Sequence, residues 1–347
     1  MKAISIRTAF VIFVVWIAAI AFQSTTIRAQ LQQQQQQRFV PDRGRPTGKL
    51  VEFEHQNRER QYRIHVPKTY DSATATPMVV CLHGGGGNCD YASLMGLTPV
   101  ANRHNFIAVY PNAVDRHWND GRDTKPFAEH DRDIDDADFL KTVVSRVREK
   151  YNIDSEQIFV LGPSNGGFMS QRLAMEQSET FSAAAILIAT MGEAIKDDFQ
   201  PEHPVSILYM NGTEDPLVPY EGGPLTLDLF PRLRAMSGKP VSSRGICIPT
   251  DEAVSLWLER NKIDSEPETI ELKDKDPDDG SVIQRSLWTD GELGTAVALY
   301  KVVGGGHTIP GTHYLIPEKF VGPVNQDIDA FETIWQFFQT HRRKPKQ

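Results

Sequence analysis

The most constraining feature of this chain is a six-residue turn, Gly162-Pro163-Ser164-Asn165-Gly166-Gly167. A short apolar run at 158–161 precedes it and a helix-like stretch at 165–177 follows it. A strand that reverses into a helix this abruptly needs glycine on both flanks, because side chains there would clash. The serine hydroxyl then projects at the head of the helix, where the backbone dipole favours negative charge.

The rest of the chain repeats the strand-then-helix pattern. Runs at 78–82, 106–110, 184–188 and 205–210 are short and apolar, as expected of strands buried on both faces. Ile134, Ala137, Leu140, Val144 and Val147 recur at helical spacing, and a closing helix carries Ile328, Phe331, Ile334, Trp335 and Phe338. Residues 50–55 and 62–66 bracket a polar turn and predict a hairpin. Residues 281–287 and 296–303 flank an Asp290-Gly291 turn. No fixed-period repeat is present, which argues against a solenoid or propeller. The pattern predicts an α/β fold: a mostly parallel central sheet, helices on both faces, and an antiparallel N-terminal edge. Reactive groups then belong on loops at the carboxyl ends of the strands. Two stretches following strands at that edge, 112–130 and 219–248, look like insertions and are candidate substrate-binding walls.

The N-terminus reads as an export signal. Lys2 and Arg7 precede an apolar run at 9–22, which is short for a membrane span. Cleavage is expected after Ala29, with Ala19-Ile20-Ala21 as a competing site and an uncleaved anchor as the alternative. A Gln- and Pro-rich linker, 30–48, lacks the apolar residues to build a core. One domain, 49–347, should then hold the function. Loss of residues 1–29, which carry three cations and no acid, takes the net charge from −8 to −11. So acidic a protein is a poor partner for nucleic acid, and no stable membrane association is expected after cleavage. The expected location is extracellular or periplasmic, an oxidising setting for the three cysteines. Cys81 lies in an apolar strand. Cys89 and Cys247 fall in loops and are the candidate disulfide pair.

A serine hydroxyl is a weak nucleophile without a base. Asp215 lies just beyond the strand at 205–210, where a carboxylate can accept from a histidine Nδ1–H; Glu214 is the alternative acid. His307 sits in the glycine-flanked loop after the strand at 296–303, with His313 as the alternative base. The order serine, acid, histidine is the one this kind of elbow requires. Acyl transfer also needs N–H donors for a developing oxyanion. Asn165 directly follows the serine, and His83-Gly84-Gly85-Gly86 offers a second donor at Gly85 or Gly86, with His83 bracing the loop. That loop lacks the Gly-Lys-Ser/Thr ending of a phosphate-binding P-loop. Trp118 and Asn119, in the first insertion, are candidate substrate contacts. Asp131, Asp133, Asp135, Asp136 and Asp138 miss the calcium-loop pattern and read as helix-terminal carboxylates. No zinc motif is present, so no metal site is expected.

Taken together, 82–87, Trp118-Asn119-Asp120-Gly121, Asp135-Asp136-Ala137-Asp138-Phe139, 162–167, 211–220 and 304–311 resemble the polyhydroxybutyrate depolymerase and feruloyl esterase group, which includes carbohydrate esterase family one. The resemblance runs from about Leu50 to the C-terminus. It implies an α/β-hydrolase fold and cofactor-free hydrolysis of carboxylic esters outside the cell, with Ser164, Asp215 and His307 as the triad. The substrate would be a feruloyl or acetyl ester of polysaccharide, or a short hydroxyalkanoate ester. One departure is Ile309, where members often carry tryptophan, which bears on the binding of an aromatic acyl group or polymer chain. The alternative functional classes are a prolyl-oligopeptidase-like peptidase and an inactive binding protein on the same scaffold.

Overall fold

The computed structural model describes residues 44–123, 133–226, 243–312 and 317–344. The export segment, most of the linker, Asp131, His313 and parts of both insertions lie outside these residues. The chain divides into two units, 1–45 and 46–347, and every described strand and helix belongs to the second.

The strands are β1 (Lys49–His55), β2 (Arg58–His65), β3 (Thr76–Cys81), β4 (Ile107–Pro111), β5 (Ile153–Pro163), β6 (Ala183–Leu187), β7 (Ser206–Gly212), β8 (Gly223–Thr226), β9 (Ser243–Cys247), β10 (Glu268–Glu271), β11 (Val282–Trp288) and β12 (Val297–Val303). Ten of them form one sheet in the order β1-β2-β4-β3-β5-β6-β7-β12-β11-β10, and β8 pairs with β9 separately. The six central strands from β4 to β12 run parallel. The expected antiparallel N-terminal edge is present, and β11 and β10 add an antiparallel edge on the other side.

Helices cover both faces, which is why the central strands are apolar without alternation. On one face, α2 (Asp136–Lys150), α3 (Asn165–Glu176) and α4 (Thr250–Arg260) pack over Met78, Val80, Val160 and Ile207. On the other, α1 (Leu97–His104) and α5 (Ala330–His341) pack over Val79, Cys81, Phe159 and Leu208. Aromatic stacking seats α5: Trp335 lies 4.1 Å from Phe106 and Phe338 lies 4.7 Å from Phe159. Asp135 caps α2 by accepting the Asp138 N–H at 3.0 Å, as a helix-terminal carboxylate should. Its neighbour Asp136 does something else. It is fully buried and pairs with Arg60 at 2.6 Å, tying the N-terminal hairpin to α2.

The expected disulfide is absent. All three cysteines are free thiols, and Cys89 and Cys247 belong to cores on opposite faces of the sheet. A disulfide needs its Cα atoms within about 7 Å, which a sheet between two cores does not permit. Burial, with Asp90 adding to it, pushes the Cys89 thiol up to about 11. Burial likewise holds Cys247 at about 11 and moves Cys81 upward. Among the described residues, no helix is long and apolar enough to cross a membrane.

Candidate active site

The candidate triad and oxyanion groups lie at the carboxyl ends of the parallel strands β3, β5, β7 and β12. Ser164 follows β5 and heads α3. Its backbone has φ 54° and ψ −123°, a conformation that non-glycine residues hold only where the surroundings impose it. Here the Ser164 N–H donates to the Leu187 carbonyl at 2.9 Å, and the Ser164 carbonyl accepts from Phe168 at 2.9 Å. The glycines next to it are required by close approach. A Cβ on Gly166 would lie 2.5 Å from the His83 carbonyl oxygen, and one on Gly167 would lie 2.6 Å from the Ala189 Cβ.

Asp215 lies just beyond β7. Its Oδ1 accepts the N–H groups of Leu217 and Val218, each at 2.8 Å, which aims Oδ2 across to β12. His307 Nδ1 donates to that Oδ2 at 2.7 Å, and both side chains are buried. The acceptor fixes the neutral tautomer: the proton sits on Nδ1 and the lone pair on Nε2. The His307 backbone N–H donates to the Val321 carbonyl at 2.5 Å, which anchors the loop. Glu214, the alternative acid, is exposed.

Of the two glycines expected to supply the second oxyanion donor, Gly86 is excluded. Its N–H is already given to the Arg116 carbonyl at 2.9 Å. The Gly85 N–H has no acceptor among the described residues, and a Cβ at Gly85 would rest 3.6 Å from the Asn165 Cβ. Asn165 opens α3, so its N–H has no acceptor within the helix. His83 braces the loop as expected. Its Nδ1–H donates to the Gly84 carbonyl at 2.8 Å, and its Nε2 accepts the Ala113 N–H at 3.1 Å. Burial pushes this imidazole down to about 4, so it is neutral.

Trp118 and Asn119 do not fit the role of substrate contacts. Trp118 is fully buried, donates its indole N–H to the His83 carbonyl at 2.9 Å, and packs 4.9 Å from the His83 ring. The Asn119 side chain donates to the Ile134 carbonyl at 2.9 Å, and its backbone N–H donates to Asp136 at 2.9 Å. Both residues hold the first insertion down. Ile309 is also buried, within the core beneath α5, so its side chain serves packing. The residues that sequence reasoning missed are Asp120 and Arg122. They form a buried ion pair at 2.6 Å beside Asn165. Asp120 stands in the Trp118-Asn119-Asp120-Gly121 string that carries the family resemblance, but neither that string nor the polar insertion around it says what these groups bind.

The family model Esterase, described as "Putative esterase", matches residues 54–212, which include the glycine loop and Ser164. The chain is 26% identical over 310 residues to "Putative esterase NocK" of Nocardia uniformis subsp. tsuyamanensis, covering 87% of this chain and 86% of that protein. It is 25% identical over 203 residues to "Feruloyl esterase C" of Emericella nidulans, covering 55% of this chain and 70% of that protein. The solved structure "Acetyl xylan esterase from Aspergillus awamori" superposes with a TM-score of 0.51 at 15% identity, over 84% of this chain and 100% of that one, a likeness in fold. By these matches the chain is similar to esterases, its sheet has the α/β-hydrolase arrangement, and the activity they support is hydrolysis of carboxylic esters.

Proposed function

We propose that the protein is a secreted serine esterase that works through an acyl-enzyme. The observation that carries this reading is the buried His307–Asp215 pair, 2.7 Å long, at the same sheet edge as the strained Ser164 turn. His307 Nε2 takes the Ser164 proton as Oγ attacks the ester carbonyl. The oxyanion accepts from the N–H groups of Asn165 and Gly85. Collapse expels the alcohol, which receives its proton from His307. Water then repeats the sequence on the acyl-enzyme and releases the acid. Asp215 stays ionised throughout and holds the imidazole in its working tautomer.

The substrate is a feruloyl or acetyl ester of polysaccharide, or a short hydroxyalkanoate ester. The feruloyl esterase relatives favour the first of these. Export rests on the apolar run at 9–22 and its basic flank, and the folded domain is taken to begin near residue 49. The test is turnover of p-nitrophenyl acetate, methyl ferulate, polyhydroxybutyrate and a peptide anilide, with Ser164→Ala as control. Ester turnover that vanishes in Ser164→Ala is the expected result. Unchanged turnover in that variant overturns the nucleophile, and turnover of the anilide alone overturns the esterase reading.

A further inference from the structure

The first insertion makes an unusual connection to the residue after the candidate nucleophile. The Asn165 side-chain Oδ1 accepts the Trp118 N–H at 2.8 Å, and its Nδ2 donates to the Trp118 carbonyl at 3.0 Å. Nδ2 also donates to Asp120 Oδ2 at 2.6 Å. The Trp118 N–H can only donate, so it fixes which end of the amide is oxygen. Asp120 is held in turn. Its Oδ2 accepts from Arg122 Nε at 2.8 Å and Nη2 at 2.6 Å, and its Oδ1 accepts the Arg122 backbone N–H at 3.2 Å. The Arg122 guanidinium lies 4.1 Å over the Phe168 ring, on the first turn of α3. Asp120 and Arg122 are both buried.

The same short segment reaches the glycine loop. The Trp118 indole N–H donates to the His83 carbonyl, two residues before Gly85. A Cβ added at Gly85 would in turn lie 3.6 Å from the Asn165 Cβ. The segment from Trp118 to Arg122 therefore grips the Asn165 side chain directly and the glycine loop through the His83 carbonyl. Such donors act by being aimed before charge develops, so an error in their spacing is felt at the transition state more than in substrate binding. A buried charge pair is a costly way to fix a surface loop, since each ion must leave water. At a donor that must not move, that rigidity has a use.

We infer that Asp120, clamped by Arg122, is a positioning residue of the oxyanion hole, acting through the Asn165 side chain. The inference rests on the serine-esterase reading above. Asn165→Ala keeps the backbone N–H and the Asp120–Arg122 pair but removes the grip. It should lower kcat by about 30-fold or more, leave KM within about 2-fold, and weaken a boronic acid inhibitor by the same factor as kcat/KM. The neutral pair Asp120→Asn with Arg122→Gln keeps an acceptor for Asn165 and should retain turnover within about 5-fold. Asp120→Ala with Arg122→Gln removes the acceptor and should fall to the level of Asn165→Ala. Added to Asn165→Ala, it should cost no more than about 3-fold further. Asn165→Ala with near wild-type kcat, or with a raised KM and unchanged boronate affinity, overturns the inference. That result does not depend on whether the charge-pair variants fold. Ser164→Ala separates the two levels: an active Ser164→Ala defeats the underlying reading, whereas an inactive Ser164→Ala with an active Asn165→Ala defeats only the role of Asp120.

Discussion

Protonation of His83 should destabilise the folded protein in a pH window that the structure defines. The ring is fully buried, donates from Nδ1 to Gly84 and accepts at Nε2 from Ala113. A second proton has nowhere to go except onto Nε2, where it would face the Ala113 N–H. Burial, opposed by the hydrogen bond to the Gly84 carbonyl and aided by the Arg116 charge, sets the folded value at about 4, compared with 6.5 for a free imidazole. The unfolded chain therefore binds a proton between these values and the folded chain does not, so stability falls with falling pH. The contribution is complete above about pH 6.5. By pH 4.5 the wild type should have lost about 2–3 kcal/mol through this residue alone. The comparison is with His83→Gln, which keeps an acceptor for Ala113 and carries no titrating group. Urea unfolding of both proteins, followed by tryptophan fluorescence at pH 7.5 and pH 4.5, cancels the other carboxylates and histidines common to both. The wild type should lose about 2–3 kcal/mol more than His83→Gln over that interval. Parallel losses would mean that His83 is protonated in the fold or solvated, and the bracing role would fall with it.

Asp215→Asn should preserve the fold, because an amide oxygen can still accept from Leu217 and Val218, yet cut kcat by about 10⁴-fold by favouring the wrong imidazole tautomer. Steady-state kinetics on p-nitrophenyl acetate check this, and a loss under 10-fold would count against the His307–Asp215 assignment. Arg60→Met strands the fully buried Asp136 carboxylate and should cost about 3–5 kcal/mol in urea unfolding. A change below about 1 kcal/mol would show that water reaches the pair. All three cysteines are buried thiols, so Ellman's reagent should titrate none of them in the native protein and three after denaturation without reductant. Recovery of only one thiol would restore a disulfide.

The sheet was legible in the sequence because strands covered on both faces cannot afford polar residues, and their apolar runs end at glycine or proline. Elements without that double burial were hidden. Strand β10 is exposed at all four residues, so it carries no hydrophobic signal. Helix α1 contains Pro99 and begins at Gly96 with no side-chain cap, and α4 begins after Pro249, also uncapped. Both therefore lack the N-terminal signature that marked α2. The cysteines were misread for a related reason. Two residues in loops can reach one another only if the sheet does not lie between them, and a linear pattern carries no record of faces.

The candidate triad was legible because each member is tied to a local cue: a glycine-flanked turn or the end of an apolar run. The grip on Asn165 has no local cue. Its bonds span 47 residues to Trp118 and 45 to Asp120, and any polar loop of that composition would look the same in sequence. Polar residues with no visible partner are read as solvent-facing, and an exposed tryptophan among them is read as a binding residue. Trp118 has its partner in the His83 carbonyl, the same atom that Gly166 approaches too closely to carry a side chain. One carbonyl oxygen thus accepts the indole from the insertion and sets the glycine requirement of the nucleophile turn. That shared contact ties the insertion from Trp118 to Arg122 to the candidate nucleophile turn; the string Trp118-Asn119-Asp120-Gly121 could be matched to a family, but its bonds to Asn165 could not be read from it.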